Sequence, residues 1–103
     1  MSDRLLVTSA LPYANGPIHL GHMVEHIQTD VYVRFRRSVG DQVTWICAAD
    51  AHGTPIEVNA GKAGMAPEAF AERFRGEHQK SFAGFAISHD TYYTTHSPEN
   101  RKW

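Results

Sequence analysis

A chain of 103 residues makes one domain at most, since compact domains run from about 50 to 250 residues. With 42% hydrophobic and 20% charged residues it can build a core, which excludes a disordered chain. Ten Lys plus Arg against eleven Asp plus Glu leave a formal charge of −1, which argues against a strong nucleic-acid surface, because such surfaces show a basic stripe. Cys47 is the only cysteine, so no disulfide framework or CxxC zinc knuckle can form within the chain. The apolar run near the start is too short for a signal peptide or a membrane span. The expectation is a cytoplasmic protein with no membrane partner.

Leu5-Leu6-Val7-Thr8-Ser9 is rich in branched side chains and predicts a short buried strand. Pro12-Tyr13-Ala14-Asn15-Gly16-Pro17 can continue neither strand nor helix and predicts a loop. From about His19 to Val39 the period changes. Leu20, Val24, Ile27, Val31 and Phe35 fall in a narrow wedge at about 100° per residue, the pattern of an amphipathic helix with that wedge on the core. Gly40 is its natural stop. Gln42 to Ala48 predicts a second buried strand, followed by the polar turn Asp50-Ala51-His52-Gly53. Thr54-Pro55-Ile56-Glu57 combines an N-cap, a first-turn Pro and a Glu three residues after the cap, opening a helix that runs to Gly61 or Gly64. Pro67 opens another, with Phe70, Phe74, Phe82 and Phe85 on a core-facing stripe. Asp90 to Thr95 is a third β-rich segment, and Ser97-Pro98-Glu99-Asn100 marks one more helix start.

Strand, helix, strand, helices, strand is the βαβ pattern of an α/β fold with a parallel sheet and right-handed crossovers. Only Arg101, Lys102 and Trp103 follow the last helix start, so a truncated chain is expected. Loop 12–18 joins the C-terminal end of the first strand to the N-terminus of the long helix, the edge at which open α/β sheets bind ligands. Free N–H groups and the helix dipole there favour an anion, commonly phosphate, and Gly16 and Gly21 leave room for a ligand against the backbone. His19 and His22 are three apart and share one face of the first turns, away from the apolar wedge. Imidazoles so placed can donate hydrogen bonds to phosphate oxygens, most usefully as charge develops in a transition state.

Pro12-Tyr13-Ala14-Asn15-Gly16-Pro17-Ile18-His19-Leu20-Gly21-His22 resembles the His-Ile-Gly-His (HIGH) region of class I aminoacyl-tRNA synthetases, with Leu20 where the motif's name has Ile. Two flanking pieces, Thr8-Ser9-Ala10-Leu11-Pro12-Tyr13 and Cys47-Ala48-Ala49-Asp50-Ala51-His52-Gly53-Thr54-Pro55-Ile56, resemble the methionyl-tRNA synthetase branch. The likeness continues through Phe82-Ala83-Gly84-Phe85 and Thr95-His96-Ser97-Pro98-Glu99-Asn100. It implies the first half of a doubly wound (Rossmann-like, HUP-type) parallel sheet, with residues 1–103 forming the N-terminal part of the nucleotide-binding catalytic domain. It further implies methionine activation by ATP, brought with Mg2+, and transfer of the methionyl group to tRNA(Met). On that resemblance His19 and His22 are the catalytic phosphate-stabilising pair. Tyr13, Asn15, Gly16, His19, Gly21 and His22 bind ATP, with Gly21 letting the adenine lie flat on the helix. Ala10, Leu11, Tyr13 and Asp50 bind methionine, Asp50 taking its α-ammonium group. Many relatives carry two consecutive acids where this chain has Ala49-Asp50, and a turn-capping role for Asp50 stays open. No Lys-Met-Ser-Lys-Ser loop occurs in the 103 residues. The family's zinc insertion and helical anticodon-binding domain are also expected to lie elsewhere, leaving no metal site in this segment and an isolated chain without activity.

Two other readings stand beside this one. His22-Met23-Val24-Glu25-His26 matches the H-x-x-E-H pattern of inverted zincins, and His19, His22, His26 and Asp30 share a helical stripe on which a metal is geometrically possible. A non-catalytic truncated remnant is the other. Of the remaining residues, Cys47 reads as a small buried apolar side chain. His78, His89 and His96 carry no nameable constellation and are expected on the surface. Arg34, Arg36 and Arg37 are expected to serve tertiary contacts or solvent.

Overall fold

The computed structural model describes residues 2–102. Its elements are β1 (Arg4–Thr8), α1 (Leu20–Ser38), β2 (Gln42–Ala49), α2 (Thr54–Lys62), α3 (Pro67–Gly84), β3 (Thr91–Thr94) and a 3-10 turn at Asn100–Lys102. The three strands form one parallel sheet in the order β1-β2-β3. Leu6 pairs with Thr44 and Thr8 with Ile46 across the first ladder, and Ile46 with Thr91 across the second. The chain therefore crosses the sheet in one direction only, and connections of one hand place their helices on one face. Strand β2 shows this in its alternation: Trp45, Cys47 and Ala49 are buried, while Gln42, Thr44 and Ile46 on the other face are exposed.

The core lies on the Trp45 side in two clusters. One joins Met23 and Val33 of α1 to Trp45, to Phe82 near the end of α3, and to Ile87. The other joins Ala14 of the loop and Ala49 of β2 to Ile56 and Ala60 of α2 and to Phe70 and Ala71 of α3. Burial of a side chain the size of Phe82 or Val33 contributes about 1.5–3 kcal/mol. Charged contacts close the rim. Asp90 accepts the Trp45 backbone N–H at 2.7 Å and pairs with Arg37 at 2.8 Å, which fastens the approach to β3 onto β2. Arg36 pairs with Asp3 and Asp41, and Arg34 with Asp30 and the Ala86 carbonyl. The arginine cluster of α1 is thus taken up by tertiary contacts. Among the described residues no helix is long and apolar enough to cross a membrane.

Several expectations are corrected. The apolar wedge of α1 faces outward: Leu20, Val24, Ile27, Val31 and Phe35 are between 39 and 83% exposed. The opposite side, with Met23, His26 and Val33, is the buried one. It is so because Trp45 and Phe82 form an aromatic floor on which a neutral imidazole stacks, and His26 lies on Phe82 with ring centroids 4.2 Å apart. Strand β1 is an edge strand with one open face, so it alternates between exposed and half-buried, and Leu6 is 68% exposed. Phe85 also leaves the predicted stripe. It is the C-cap of α3, and Ala86 turns the chain away at φ +56°. The N-cap of α2 is Gly53 rather than Thr54, with no side-chain cap.

The reversal of α1 separates two substitutions of the same size. Val33→Ala costs about 2 kcal/mol of unfolding free energy, whereas Val31→Ala two residues away stays within about 0.5 kcal/mol. Urea unfolding of the two variants checks this, and equal losses would contradict the packing described.

Candidate nucleotide-binding corner

After β1 the chain leaves the sheet at Ser9 and returns beside the end of β2. Asp50 donates its N–H to the Pro12 carbonyl at 2.9 Å, and Ala14 donates to the Asp50 carbonyl at 2.8 Å. These bonds form a single parallel bridge between Tyr13 and Asp50. The loop is then braced at three further points. The Tyr13 hydroxyl fits against Gly53, where a Cβ would approach it to 2.6 Å and where φ is +120°, so only glycine suits that position. The Asn59 amide of α2 donates to the Asn15 side chain at 2.9 Å. His78 of α3 donates from Nε2 to the Gly16 carbonyl at 2.6 Å.

The brace delivers His19 as the N-cap of α1. Its Nδ1 accepts the Gly21 N–H at 3.1 Å, and His22 Nδ1 accepts the His19 N–H at 3.2 Å. The result is a reciprocal capping box built from two imidazoles, in place of the usual hydroxyl and carboxylate. With Nδ1 accepting, each neutral ring carries its proton on Nε2. The two rings stack with centroids 3.7 Å apart at 25°. Burial, aided by the neighbouring His19, lowers the His22 pKa, which favours that neutral donor form. The first turn of α1 carries no acidic residue. A Cβ at Gly21 would come within 3.0 Å of the His19 ring, so glycine gives that ring its space. An open cleft in front is lined by Tyr13, Asn15, Gly16, Pro17, His19 and His22, all of them residues marked by the sequence.

Ala10 and Leu11 are exposed on the segment leading into this loop, and Tyr13 and Asp50 are half-buried. Only the backbone of Asp50 is engaged, in the bridge to the loop. Its side chain caps no turn among the described residues. Ala49 is fully buried in a cluster with Ile56 and Ala60. The H-x-x-E-H residues do not converge as a zincin site: Glu25 accepts the Ala10 N–H, and the His26 ring turns inward, away from His22 Nε2, toward Ser9 and Cys47.

Two histidines expected on the surface are not there. His78 is fully buried, and its spacing of four from Phe74 and Phe82 put it on the same α3 stripe, a signal present in the sequence. His89 is half-buried against Trp45, Phe82 and Tyr92, and burial pushes its pKa down to about 4. His96 is exposed, as expected, beside His52.

The model of one family, tRNA synthetases class I (M), matches residues 5–103. Methionine–tRNA ligase of Myxococcus xanthus is 57% identical over the whole chain, which spans 15% of that relative's length. A solved structure titled as Mycobacterium tuberculosis methionyl-tRNA synthetase in complex with methionyl-adenylate superposes with a TM-score of 0.93. That match is 30% identical in sequence and covers 99% of this chain and 20% of the other.

The His78 brace has a measurable consequence. His78→Ala leaves the Gly16 carbonyl without its donor and costs about 1–3 kcal/mol, and amide exchange at Ala14 and Asn15 accelerates as the loop opens locally. His78→Gln, which retains an N–H donor, recovers part of the protection in hydrogen-exchange measurements.

Proposed function

Because the chain belongs to the class I tRNA synthetase (M) family, we propose that it forms the phosphate-binding wall of an enzyme that activates methionine with ATP and passes it to tRNA(Met). The observation that supports this reading is the stacked pair of Nε2–H donors at the acid-free N-terminus of α1, a natural place for phosphate oxygens. ATP enters with Mg2+ and sets its phosphates against His19 and His22, with Asn15 and Gly16 of the braced loop beside them. Tyr13 stands at the junction of the nucleotide and amino-acid positions. Gly21 keeps the first turn of α1 bare for the adenine.

The methionine carboxylate attacks the α-phosphorus. A carboxyl O–P bond forms, the P–O bond to the bridging oxygen breaks, and its electron pair leaves with pyrophosphate. Negative charge grows on the phosphate oxygens during this step, and the two imidazoles are already fixed by their Nδ1 bonds when it does. Donors that need no reorganisation at that moment are the ones that lower a barrier most. Asp50, whose carboxylate no side-chain contact occupies among the described residues, pairs with the α-ammonium of methionine. Ala10, Leu11 and Tyr13 line the side-chain pocket. The adenylate then acylates the terminal adenosine of the tRNA. This work belongs to the cytoplasm, and the phosphate-binding lysine loop comes from outside these 103 residues.

In the enzyme that carries this segment, His22→Ala and His19→Ala each lower kcat for methionine-dependent ATP–pyrophosphate exchange about 100- to 1,000-fold. Asp50→Ala acts chiefly on KM for methionine. The 103 residues alone give no robust exchange. Parental rates in both histidine variants would overturn the assignment.

A further inference from the structure

Behind the capping box, on the buried side of α1, a second constellation forms that the nucleotide reading does not use. Among the described residues one group of three metal-ligating side chains converges: His26 of α1, Cys47 of β2 and His89 on the approach to β3, with donor atoms within 4.8 Å of one another. His26 Nε2 is 3.7 Å from Cys47 Sγ and 3.4 Å from Ser9 Oγ. His89 Nε2 is buried without any hydrogen-bond partner. An unpartnered buried nitrogen has a desolvation cost that a ligand would remove.

We propose that His26, Cys47 and His89 form a binding site for Zn2+, in which two imidazole nitrogens and one thiolate hold the ion between α1, β2 and the segment before β3. Zn–S bonds of about 2.3 Å and Zn–N bonds of about 2.0–2.1 Å place tetrahedral ligand atoms about 3.3–3.6 Å apart. The His26–Cys47 pair already stands near that separation, and the two edges that involve His89, each within 4.8 Å, close with a shift of at most about 1.5 Å. His89 lies immediately before β3, and its ring slides against Trp45, Phe82 and Tyr92 as it makes that shift. Ser9 Oγ or a water completes the fourth position.

The donor set fits a thiophilic ion rather than Mg2+ or Ca2+, which take oxygen ligands. The outer support is in place as well. His26 Nδ1 donates to the His22 carbonyl at 3.2 Å, which leaves Nε2 as the free ligand atom, the second-sphere arrangement typical of metal-bound histidine. The hydrophobic surround of Trp45 and Phe82 shields the site from water. Binding converts the buried Cys47 thiol to a thiolate and releases one proton. The ion would add a metal link to three elements already joined by packing and by the Arg37–Asp90–Trp45 contacts, directly beneath the turn that carries His22.

The test uses the complete polypeptide carrying this segment, stripped with a chelator and titrated with Co2+ as a spectroscopic stand-in. The wild type shows a thiolate-to-cobalt charge-transfer band that Cys47→Ser lacks, and the difference spectrum separates this site from any zinc site elsewhere in the polypeptide. His89→Gln weakens binding more than about 100-fold, exceeding the usual effect of an outer-sphere change, with circular dichroism unchanged. A second measurement needs no variant. In mild denaturant Zn2+ slows alkylation of Cys47, followed by peptide mass spectrometry, about 10-fold or more. Identical cobalt spectra in wild type and Cys47→Ser, or equal alkylation rates with and without Zn2+, overturn the proposal.

Discussion

Two backbone hydrogen bonds, from Asp50 N–H to Pro12 and from Ala14 N–H to Asp50, tie the loop after β1 to the end of β2. The corner depends on that splice. A loop of this kind has no ladder to satisfy its polar groups, and without partners it would be held by water and mobile. Once spliced, it meets Gly53 and Asn59 from the N-cap and body of α2 and His78 from α3. The start of α1 then has one position, and the two imidazoles that cap it have one orientation. A site whose side chains must hold one orientation needs support from rigid elements behind it, and here the support comes from α2 and α3.

Histidine is the residue through which this fold is organised. Of the seven in the chain, His19 and His22 cap a helix, His78 braces a loop, and His26 and His89 sit among Trp45, Phe82 and Tyr92. A neutral imidazole is flat, polarisable and able both to donate and to accept, so it can cap, brace or stack. Burial keeps His26 and His89 below the ordinary histidine range, since charge is disfavoured away from water. Hydropathy counts all seven as polar, so the apolar pattern of α1 points away from the side that His26 helps to bury.

The outward apolar stripe of α1, the open face of the sheet with Leu6, Ile46 and Tyr93, and the free edge of β1 are all products of one topology. Strands laid down in a single direction leave one face uncovered, and β1 and β3 are both edge strands among the described residues. An uncovered parallel sheet is unusual, because such sheets normally carry helices on both faces.

The order of elements, the parallel βαβ logic, the loop at residues 12–17 and the histidine pair at its end were all legible in the sequence. They rest on local chemistry: proline and glycine stops, branched runs and the spacing of three that puts His19 over His22. The residues that line the cleft were legible for the same reason, since all of them lie in one continuous stretch from Tyr13 to His22. Which side of α1 is buried, the inward turn of His78, and the meeting of His26, Cys47 and His89 were decided only by tertiary structure. Those outcomes depend on which surfaces have a partner, and periodicity records that a helix has two faces without recording which one is covered.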